Sequence, residues 1–177
     1  MDPSRILSKA SPHIAVVSIN RDKYSETFIQ NVFDALPCKK SLLYGGYLPT
    51  HFTVDWRVEG EEIPMVKPPF WKMKPDSLQA QQVLNLQNWL KRERVDLILA
   101  NYGPSGVALL PVIQAMHLPM IVHFHGYDAY RDDILGSYGR HYQEMFAAAK
   151  AIVAVSADMA RQLNSLGAPS EKLHIYI

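Results

Sequence analysis

Residues 123–128 (HFHGYD) bring together the side chains of this sequence that are best suited to chemistry. His125 stands at the predicted tip of a buried strand, where an imidazole can donate, accept or transfer a proton near neutral pH. Asp128 can accept a hydrogen bond from a hydroxyl group or from a backbone amide, and Gly126 lets a ligand or another chain segment come close. We expect His125 to be functional and His123, which lies inside the strand, to be a satisfied core residue. For Asp128, a carboxylate that only caps a turn is the alternative.

A second cluster of candidate residues is cationic and precedes a predicted helix. Arg21 and Lys23 lie in the loop after the first predicted strand. Ser25 can cap the following helix, and Glu26 suits the positive end of that helix. Two cations beside a helix N-terminus can hold a phosphate or another anion, so we predict an anion site here. Taken singly, each cation is equally compatible with a solvated loop charge.

Several reaction classes lack their sequence signature. The sequence contains no Gly-x-Gly-x-x-Gly fingerprint of a dinucleotide-binding turn and no Gly-x-Ser-x-Gly nucleophile elbow. Cys38 is the single cysteine, which excludes an intramolecular disulfide and a Cys-based zinc cluster. No pair of carboxylates has the spacing of metal ligands, so we expect no bound metal. The net charge of +1 gives no electrostatic footprint for nucleic acid, and we expect no such partner.

The pattern of apolar residues predicts the framework that must position these side chains. Short apolar runs alternate with helical patterns, which is typical of βαβ units. The first strand is apolar at nearly every position, as expected where both faces of a sheet are covered. We therefore predict a Rossmann-like, doubly wound α/β fold with a mainly parallel sheet over residues 13–177, after an N-terminal tail, 1–12. The predicted strands are 13–19, 41–44, 96–100, 120–125, 151–155 and 173–177, with shorter strand-like pieces within 52–58. The predicted helices begin at Ser25, run from 76 or 77 to 92, begin at Val107 with a kink or restart at Pro111, run from 133 to 150, and run from 156 to 166.

In a doubly wound sheet, ligands bind outside the carboxyl ends of the strands. This rule selects residues 20–25, 101–106, 125–130 and Ser156, each of which directly follows a predicted strand. Polar residues and glycines are concentrated in these segments, although Ser156 is also well suited to cap a helix. The candidate binding residues at this edge, besides those of the cationic loop, are Asn101, Tyr102, Gly103, Gly126, Tyr127, Asp128 and Ser156.

Residues 47–75 are less regular, and they include a segment that mixes basic and aromatic side chains, 67–74 (KPPFWKMK). Such a segment could meet an acidic lipid surface or a lipid-linked molecule, and a solvated loop is the alternative. No apolar run approaches the roughly 20 residues that span a bilayer. Residues 1–12 lack the apolar core of a secretory signal. We expect a cytoplasmic protein and leave peripheral contact with the inner face of the membrane open.

Taken in chain order, four stretches resemble the N-terminal domain of family-4 retaining glycosyltransferases of the two-domain GT-B fold. They are 24–29 (YSETFI), 103–107 (GPSGV) with Pro111 beyond it, 124–128 (FHGYD) and 154–159 (AVSADM). The resemblance covers roughly residues 13 to 177. The first stretch is similar to members that build bacterial cell-surface polysaccharide or lipopolysaccharide.

The resemblance implies transfer of a hexosyl group from a nucleotide-sugar to a hydroxyl of a glycan or lipid-linked acceptor, with retention of anomeric configuration. The nucleotide-sugar is then a co-substrate, and no cofactor is implied. His125 would lie in the cleft near the donor sugar, and Arg21, Lys23, Ser25 and Glu26 would face the acceptor and the phosphates. Two departures from the family pattern are 21–23 (RDK), where a glycine pair is usual, and 99–103 (LANYG), where HAHFG is frequent.

The family's donor motif, Glu-x7-Glu, belongs to a C-terminal domain that this chain does not contain. We therefore expect the chain alone to be inactive. A surface that faces a second domain should be partly apolar and partly polar, so we expect Tyr102, Tyr127 and Tyr130 in the edge loops to be exposed. The alternative function is a non-catalytic Rossmann-like module that binds a ligand or a partner.

Overall fold

The computed structural model describes residues 11–21, 27–67 and 77–176, which form one mixed sheet covered by helices. The eight strands lie in the order β4-β3-β2-β1-β5-β6-β7-β8. All neighbours from β2 to β8 pair in parallel, and β3 and β4 add an antiparallel edge. The strands are β1 (His13–Val17), β2 (Lys39–Tyr44), β3 (His51–Thr53), β4 (Glu61–Glu62), β5 (Leu97–Asn101), β6 (Met120–Phe124), β7 (Ala151–Ala154) and β8 (Leu173–Ile175). The helices are α1 (Thr27–Ala35), α2 (Leu78–Glu93), α3 (Gly103–Ala108), α4 (Leu110–Met116), α5 (Tyr127–Tyr130), α6 (Asp132–Ala148) and α7 (Ala157–Ser165).

The predicted mainly parallel, doubly wound sheet is confirmed, and its topology fixes where a ligand can bind. Strand β1 lies between β2 and β5, so the chain leaves β1 toward one side of the sheet and later returns on the other. The crevice at such a switch point lies outside the carboxyl ends of the two strands. These ends are Val17 in β1 and Asn101 in β5.

Alternate strand residues supply two apolar clusters, one on each face of the sheet. The larger cluster joins Ala15 and Val17 of β1 to helices α2, α3, α4, α6 and α7. On the opposite face, Val16 packs with Ile29 and Phe33 of α1. Because side chains alternate across a strand, this division explains why β1 is apolar at every position after His13.

Several element boundaries differ from the prediction. Strand β2 begins two residues earlier, at Lys39, and the pieces expected within 52–58 reduce to β3 followed by a turn. The helix predicted for 133–150 is confirmed as α6, which runs from Asp132 to Ala148, and the extended residue Arg131 separates it from the short helix α5, which was not predicted. The predicted start at Val107 is wrong because α3 already begins at Gly103, whereas the predicted restart at Pro111 is confirmed by the separate helix α4.

Serine hydroxyls cap two helices, and the one at Ser156 is the predicted cap. The Ser77 hydroxyl accepts from the Ala80 amide at 3.1 Å at the start of α2. The Ser156 hydroxyl accepts from the Met159 amide at 3.1 Å at the start of α7. The predicted cap at Ser25, residues 1–10 of the tail, and residues 68–74 of the basic-aromatic segment lie outside the described residues.

Gly103 brings α3 into direct contact with strand β6 and helix α6. A Cβ atom at this position would lie 2.6 Å from Phe124 Cε1 and 2.6 Å from the Tyr142 hydroxyl oxygen. Both rings are completely buried, so neither can move aside cheaply. Glycine is therefore required at the start of α3 by packing.

We expect Gly103→Ala to lower the free energy of unfolding by about 1–3 kcal/mol, because the new methyl group overpacks the core. Gly136→Ala is the matched control, since Gly136 lies in α6 with nothing within 4 Å of the added Cβ. The control should gain roughly 0.5–1 kcal/mol from helix propensity. Urea unfolding of both variants measures the difference, and equal stabilities for the two would contradict the packing argument.

Candidate functional site

Asn101 closes the carboxyl edge of the sheet at its switch point. The residue ends β5 and is almost completely buried. Its side-chain Nδ2 donates to the main-chain oxygen of Val17 in β1 at 2.9 Å. Its Oδ1 lies 2.9 Å from Nε2 of His125, just beyond the end of β6. One amide side chain therefore ties two strands to the predicted catalytic histidine.

These contacts fix the protonation of the His125 ring. The Val17 carbonyl can only accept, so the amide Nδ2 must face it and Oδ1 must face His125. Oδ1 can also only accept, so Nε2 of His125 carries a hydrogen. In the neutral ring, Nδ1 then keeps a lone pair.

The surroundings of His125 hold its ring uncharged. Ring centroids lie at 4.1 Å for His123, 4.4 Å for Phe28 and 4.9 Å for Tyr102. Burial, followed by the nearby His123, lowers the pKa of His125 to about 2. Burial also lowers the pKa of His123 to about 4. Two neutral imidazoles can exchange hydrogen bonds with hydroxyl groups, but they cannot neutralise a phosphate.

The carboxylate of Asp128 organises the turn that carries His125. Its Oδ1 accepts from the amides of His125 and Gly126, each at 3.0 Å, and its Oδ2 accepts from the amide of Gly103 at 3.0 Å. The side chain is 0% exposed. The alternative of a turn-capping carboxylate describes these contacts, and a contact of Asp128 with a ligand hydroxyl stays a prediction.

Three further candidates at the end of β5 are buried. Asn101 and Gly103 have the structural roles described above, and the Tyr102 side chain is only 3% exposed. The Tyr102 ring packs between His125 and Tyr127, with centroid distances of 4.9 and 5.0 Å. Asn101, Tyr102 and Gly103 are therefore packed into the domain, and their contact with substrate stays a prediction.

The remaining candidates of the later loops lie at the surface. Tyr130 is 43% exposed, and its hydroxyl donates to Asp158 at 2.6 Å. Tyr127 is half-buried, so of the three tyrosines expected at the surface Tyr130 is exposed and Tyr102 is not. Gly126 has a φ of +132° with nothing within 4 Å of an added Cβ, so open space lies beside it. Ser156 serves as the cap of α7.

The cationic loop is described only in part. Arg21 Nη1 donates to the main-chain oxygen of Val58 at 3.0 Å, and its guanidinium lies 5.8 Å from the Tyr44 ring centroid. These contacts hold Arg21 against the β2 side of the crevice. Lys23, Ser25 and Glu26 lie outside the described residues.

A cavity of about 560 Å³ opens beside the two histidines. Its wall is mostly apolar, with Asn31 as a further polar residue. An adjoining cavity of about 440 Å³ continues over the same sheet face and shares His123 and Tyr176. The lining of the first cavity is Phe28, Asn31, Val32, Ala35, His123, His125, Val155 and Tyr176. No periodic pattern in the sequence marks this set, because its members come from α1, β6 and the segments after β7 and β8.

His123 differs from the satisfied core residue that the sequence predicted. Its side chain is 6% exposed, and its Nε2 has no hydrogen-bond partner among the described residues. It lines both cavities and contacts the His125 ring. An unpartnered buried polar atom lowers the free energy of unfolding by about 1–3 kcal/mol. An apolar residue would avoid this loss if the position were purely structural.

A larger depression, about 700 Å³, lies at the opposite edge of the sheet. Lys150 and Lys172 line it together with apolar residues of α4 and α6. Lys172 Nζ donates to the main-chain oxygens of Phe146 and Ala147 at 3.0 and 2.7 Å. We place the functional site at the carboxyl edge instead, because parallel sheets of this topology bind ligands there.

Within residues 11–21, 27–67 and 77–176, no group of three or more His, Cys, Asp or Glu side chains could hold a metal ion. No helix within those ranges combines the length and apolar character needed to cross a bilayer.

We expect acid to destabilise the domain through the two buried histidines. Between about pH 6.5 and 4, the unfolded chain binds a proton on each histidine while the folded chain leaves both neutral. Stability should therefore fall as the pH falls, by about 1.4 kcal/mol per pH unit for each histidine. Urea unfolding across this range measures the slope for the wild type and for His123→Gln. The slope of the unfolding free energy against pH should be smaller in His123→Gln by about 1.4 kcal/mol per pH unit, the contribution of one histidine. An unchanged slope would mean that His123 is already protonated in the folded state.

Comparisons of the whole chain with known proteins agree with this geometry. The model of Glycosyltransferase Family 4 matches residues 46–176, which include His125 and the strands β5 to β8. Salmonella typhimurium WcaL, whose name gives a provisional assignment as a colanic acid biosynthesis glycosyltransferase, is 30% identical over 82 residues, 45% of this chain and 20% of that protein. The protein of the same name from Escherichia coli is 30% identical over 84 residues, 46% of this chain and 21% of that protein. The matched segment thus spans well under two thirds of either relative.

Solved structures with low sequence identity share the fold. A structure described as Staphylococcus aureus MnaA with UDP has a TM-score of 0.61 at 13% identity, with 93% of this chain and 43% of that chain covered. The UDP-GlcNAc 2-epimerase of Neisseria meningitidis, bound to UDP-GlcNAc, has a TM-score of 0.56 at 14% identity, with 92% and 45% covered. This chain belongs to glycosyltransferase family 4, and its fold is a Rossmann-like half of the GT-B type.

Proposed function

We propose that this domain forms the acceptor-side wall of a retaining glycosyltransferase active in cell-surface polysaccharide or glycolipid synthesis. The enzyme would transfer a hexosyl group from a nucleotide-sugar to a hydroxyl of a glycan or lipid-linked acceptor. The observation that carries the proposal is the neutral His125, placed with a free lone pair at the ligand-binding edge of a family-4 domain. The name of WcaL and the UDP ligands of the two fold neighbours are consistent with this substrate class.

His125 is suited to a neutral hydroxyl and not to the diphosphate of the donor. Nδ1 can accept a hydrogen bond from a sugar hydroxyl, and the Asn101 contact keeps the ring in place for it. A charged leaving group needs positive groups or helix N-termini, which the buried imidazole pair does not supply. We propose that the diphosphate is held mainly by a second domain across the cleft, with Arg21, Lys23, Ser25 and Glu26 on this side. The chain covers less than half of the fold neighbours' length, which leaves room for such a domain in the whole protein.

The location of the enzyme is part of the proposal. A lipid-linked acceptor would place the reaction at the cytoplasmic face of a membrane. Residues 67–74 carry three lysines, two aromatic rings and a methionine, a composition that suits peripheral contact with anionic lipid. Gly126, Tyr127, and the exposed Tyr130 would then lie along the wall that faces the second domain.

We expect the whole protein, and not residues 1–177 alone, to turn over a nucleotide-sugar, because the cleft needs both walls. A radiolabelled panel of nucleotide-sugars with membrane extract as acceptor measures the transfer. The anomeric configuration of the product, determined by NMR, tests retention. Sugar transfer by residues 1–177 alone would contradict the proposal that both walls of the cleft are needed. A whole protein that binds a nucleotide-sugar but never transfers the sugar would favour the non-catalytic module.

In the whole protein, His125→Ala should lower kcat by about 10²-fold, the typical loss when one preorganised hydrogen-bonding group is removed. His117→Ala is the matched control, since His117 is an exposed histidine at the end of α4, on the opposite edge of the sheet. Its kcat should equal that of the wild type. Thermal unfolding of each variant separates activity from folding. Normal turnover per folded molecule in His125→Ala would assign His125 a structural role.

A further inference from the structure

The side chain of Asn101 lies at the one place where β1, β5 and β6 end together. Its neighbour in β6 is His123, with which it is paired in register. The β1–β5 ladder ends one residue earlier, at the pair Val17 and Ala100. The amide of Asn101 then continues the connection between these strands through its bond to the Val17 oxygen.

This arrangement leaves the amide of Asn101 a single orientation. If Oδ1 and Nδ2 were exchanged, an acceptor would face the Val17 carbonyl and a donor would face His125. Two acceptors in a buried site repel, and each would lose its partner. The main-chain oxygen of Val17 thus determines the orientation of the Asn101 amide. The amide orientation in turn determines that Nε2 of His125 carries the proton.

The His125 ring is also held against rotation. Phe28 lies 4.4 Å away and is tilted by 40°, while Tyr102 meets the ring edge to face at 4.9 Å. A flip of the imidazole would place a carbon atom against Asn101 Oδ1 and would break the 2.9 Å contact. Orientation and tautomer are therefore determined by the same hydrogen bond.

We propose that Asn101 is a positioning residue, which keeps the proton of His125 on Nε2 and thereby presents Nδ1 to the crevice as a hydrogen-bond acceptor. The ligand group that fits such an acceptor is a hydroxyl or an N–H, and a deprotonated phosphate oxygen is excluded. That the hydroxyl belongs to a sugar rests on the proposed function, whereas the tautomer does not.

The titratable groups around the ring do not compete for Nδ1. His123 of β6 lies beside the ring, and Tyr102 at the start of α3 meets it edge to face. Asp128 of α5 engages the main-chain amide of His125. Among the described residues, no charged side chain bonds to the imidazole, so a carboxylate introduced at position 101 would be the first.

The test is an NMR measurement of the imidazole nitrogens in the 177-residue chain labelled with ¹⁵N-histidine. Wild-type His125 should show a protonated Nε2 and an unprotonated Nδ1 at about pH 7 and still at about pH 5. Asn101→Ala removes the acceptor, and both nitrogens should then shift toward the values of a mixed tautomer. In Asn101→Asp a side-chain oxygen still faces Nε2, so Nε2 should stay protonated, whereas the second oxygen meets the Val17 carbonyl, to which Nδ2 donates in the wild type. The signals of His117, at the other edge, are the internal control.

The outcomes separate this proposal from the proposed function, because the measurement needs no transferase activity. A proton on Nδ1 in the wild type would overturn it, as would an unchanged tautomer in Asn101→Ala. If the alanine variant does not fold, the tautomer in the wild type and in Asn101→Asp still decides the question. A His125 ring protonated only on Nδ1 in Asn101→Asp would also refute the proposal.

Discussion

The carboxylate of Asp128 is the constraint on which the geometry of the site depends. It is completely buried, and burial raises its pKa while the surrounding backbone amides oppose that shift. A buried carboxylate is tolerated only where hydrogen bonds replace the lost water. The amides that supply these bonds belong to Gly103 and to the turn at His125 and Gly126, so one charge joins the start of α3 to the end of β6. The Tyr142 hydroxyl donates to the main-chain oxygen of the same residue at 2.8 Å and links the turn to α6.

The backbone at Tyr102 shows the strain that this arrangement contains. Its φ of 73° with a ψ of 139° is a conformation that a residue with a Cβ seldom adopts. Such a backbone conformation lowers the free energy of unfolding by about 1–3 kcal/mol, and it persists only where the surrounding contacts stabilise it. Its amide donates to the His123 oxygen at 2.8 Å, and its ring fills the space between His125 and Tyr127. The strained turn directs β5 into α3 and brings the Tyr102 ring against His125.

The sheet could be predicted from the sequence, but the division of roles at its edge could not. Apolar runs such as 13–17 reveal buried strands because their pattern is local. The burial of Asn101 depends on the Val17 oxygen, 84 residues earlier in the chain, and no local pattern encodes that contact. The same limit explains why His123 looked like a satisfied core residue and why Asp128 looked available to a ligand. Resemblance to a family predicts a site at this edge, but the packing is needed to see which of its side chains hold their neighbours in place.

The free energy of unfolding of Asp128→Asn tests the central claim most directly. An asparagine of the same shape would turn an N–H group toward at least one of the backbone amides, and the account predicts a loss of about 2–4 kcal/mol. Asp132→Asn, at the exposed start of α6, should remain within about 0.5 kcal/mol of the wild type. Equal stability of Asp128→Asn and the wild type would contradict the view that this carboxylate assembles the site.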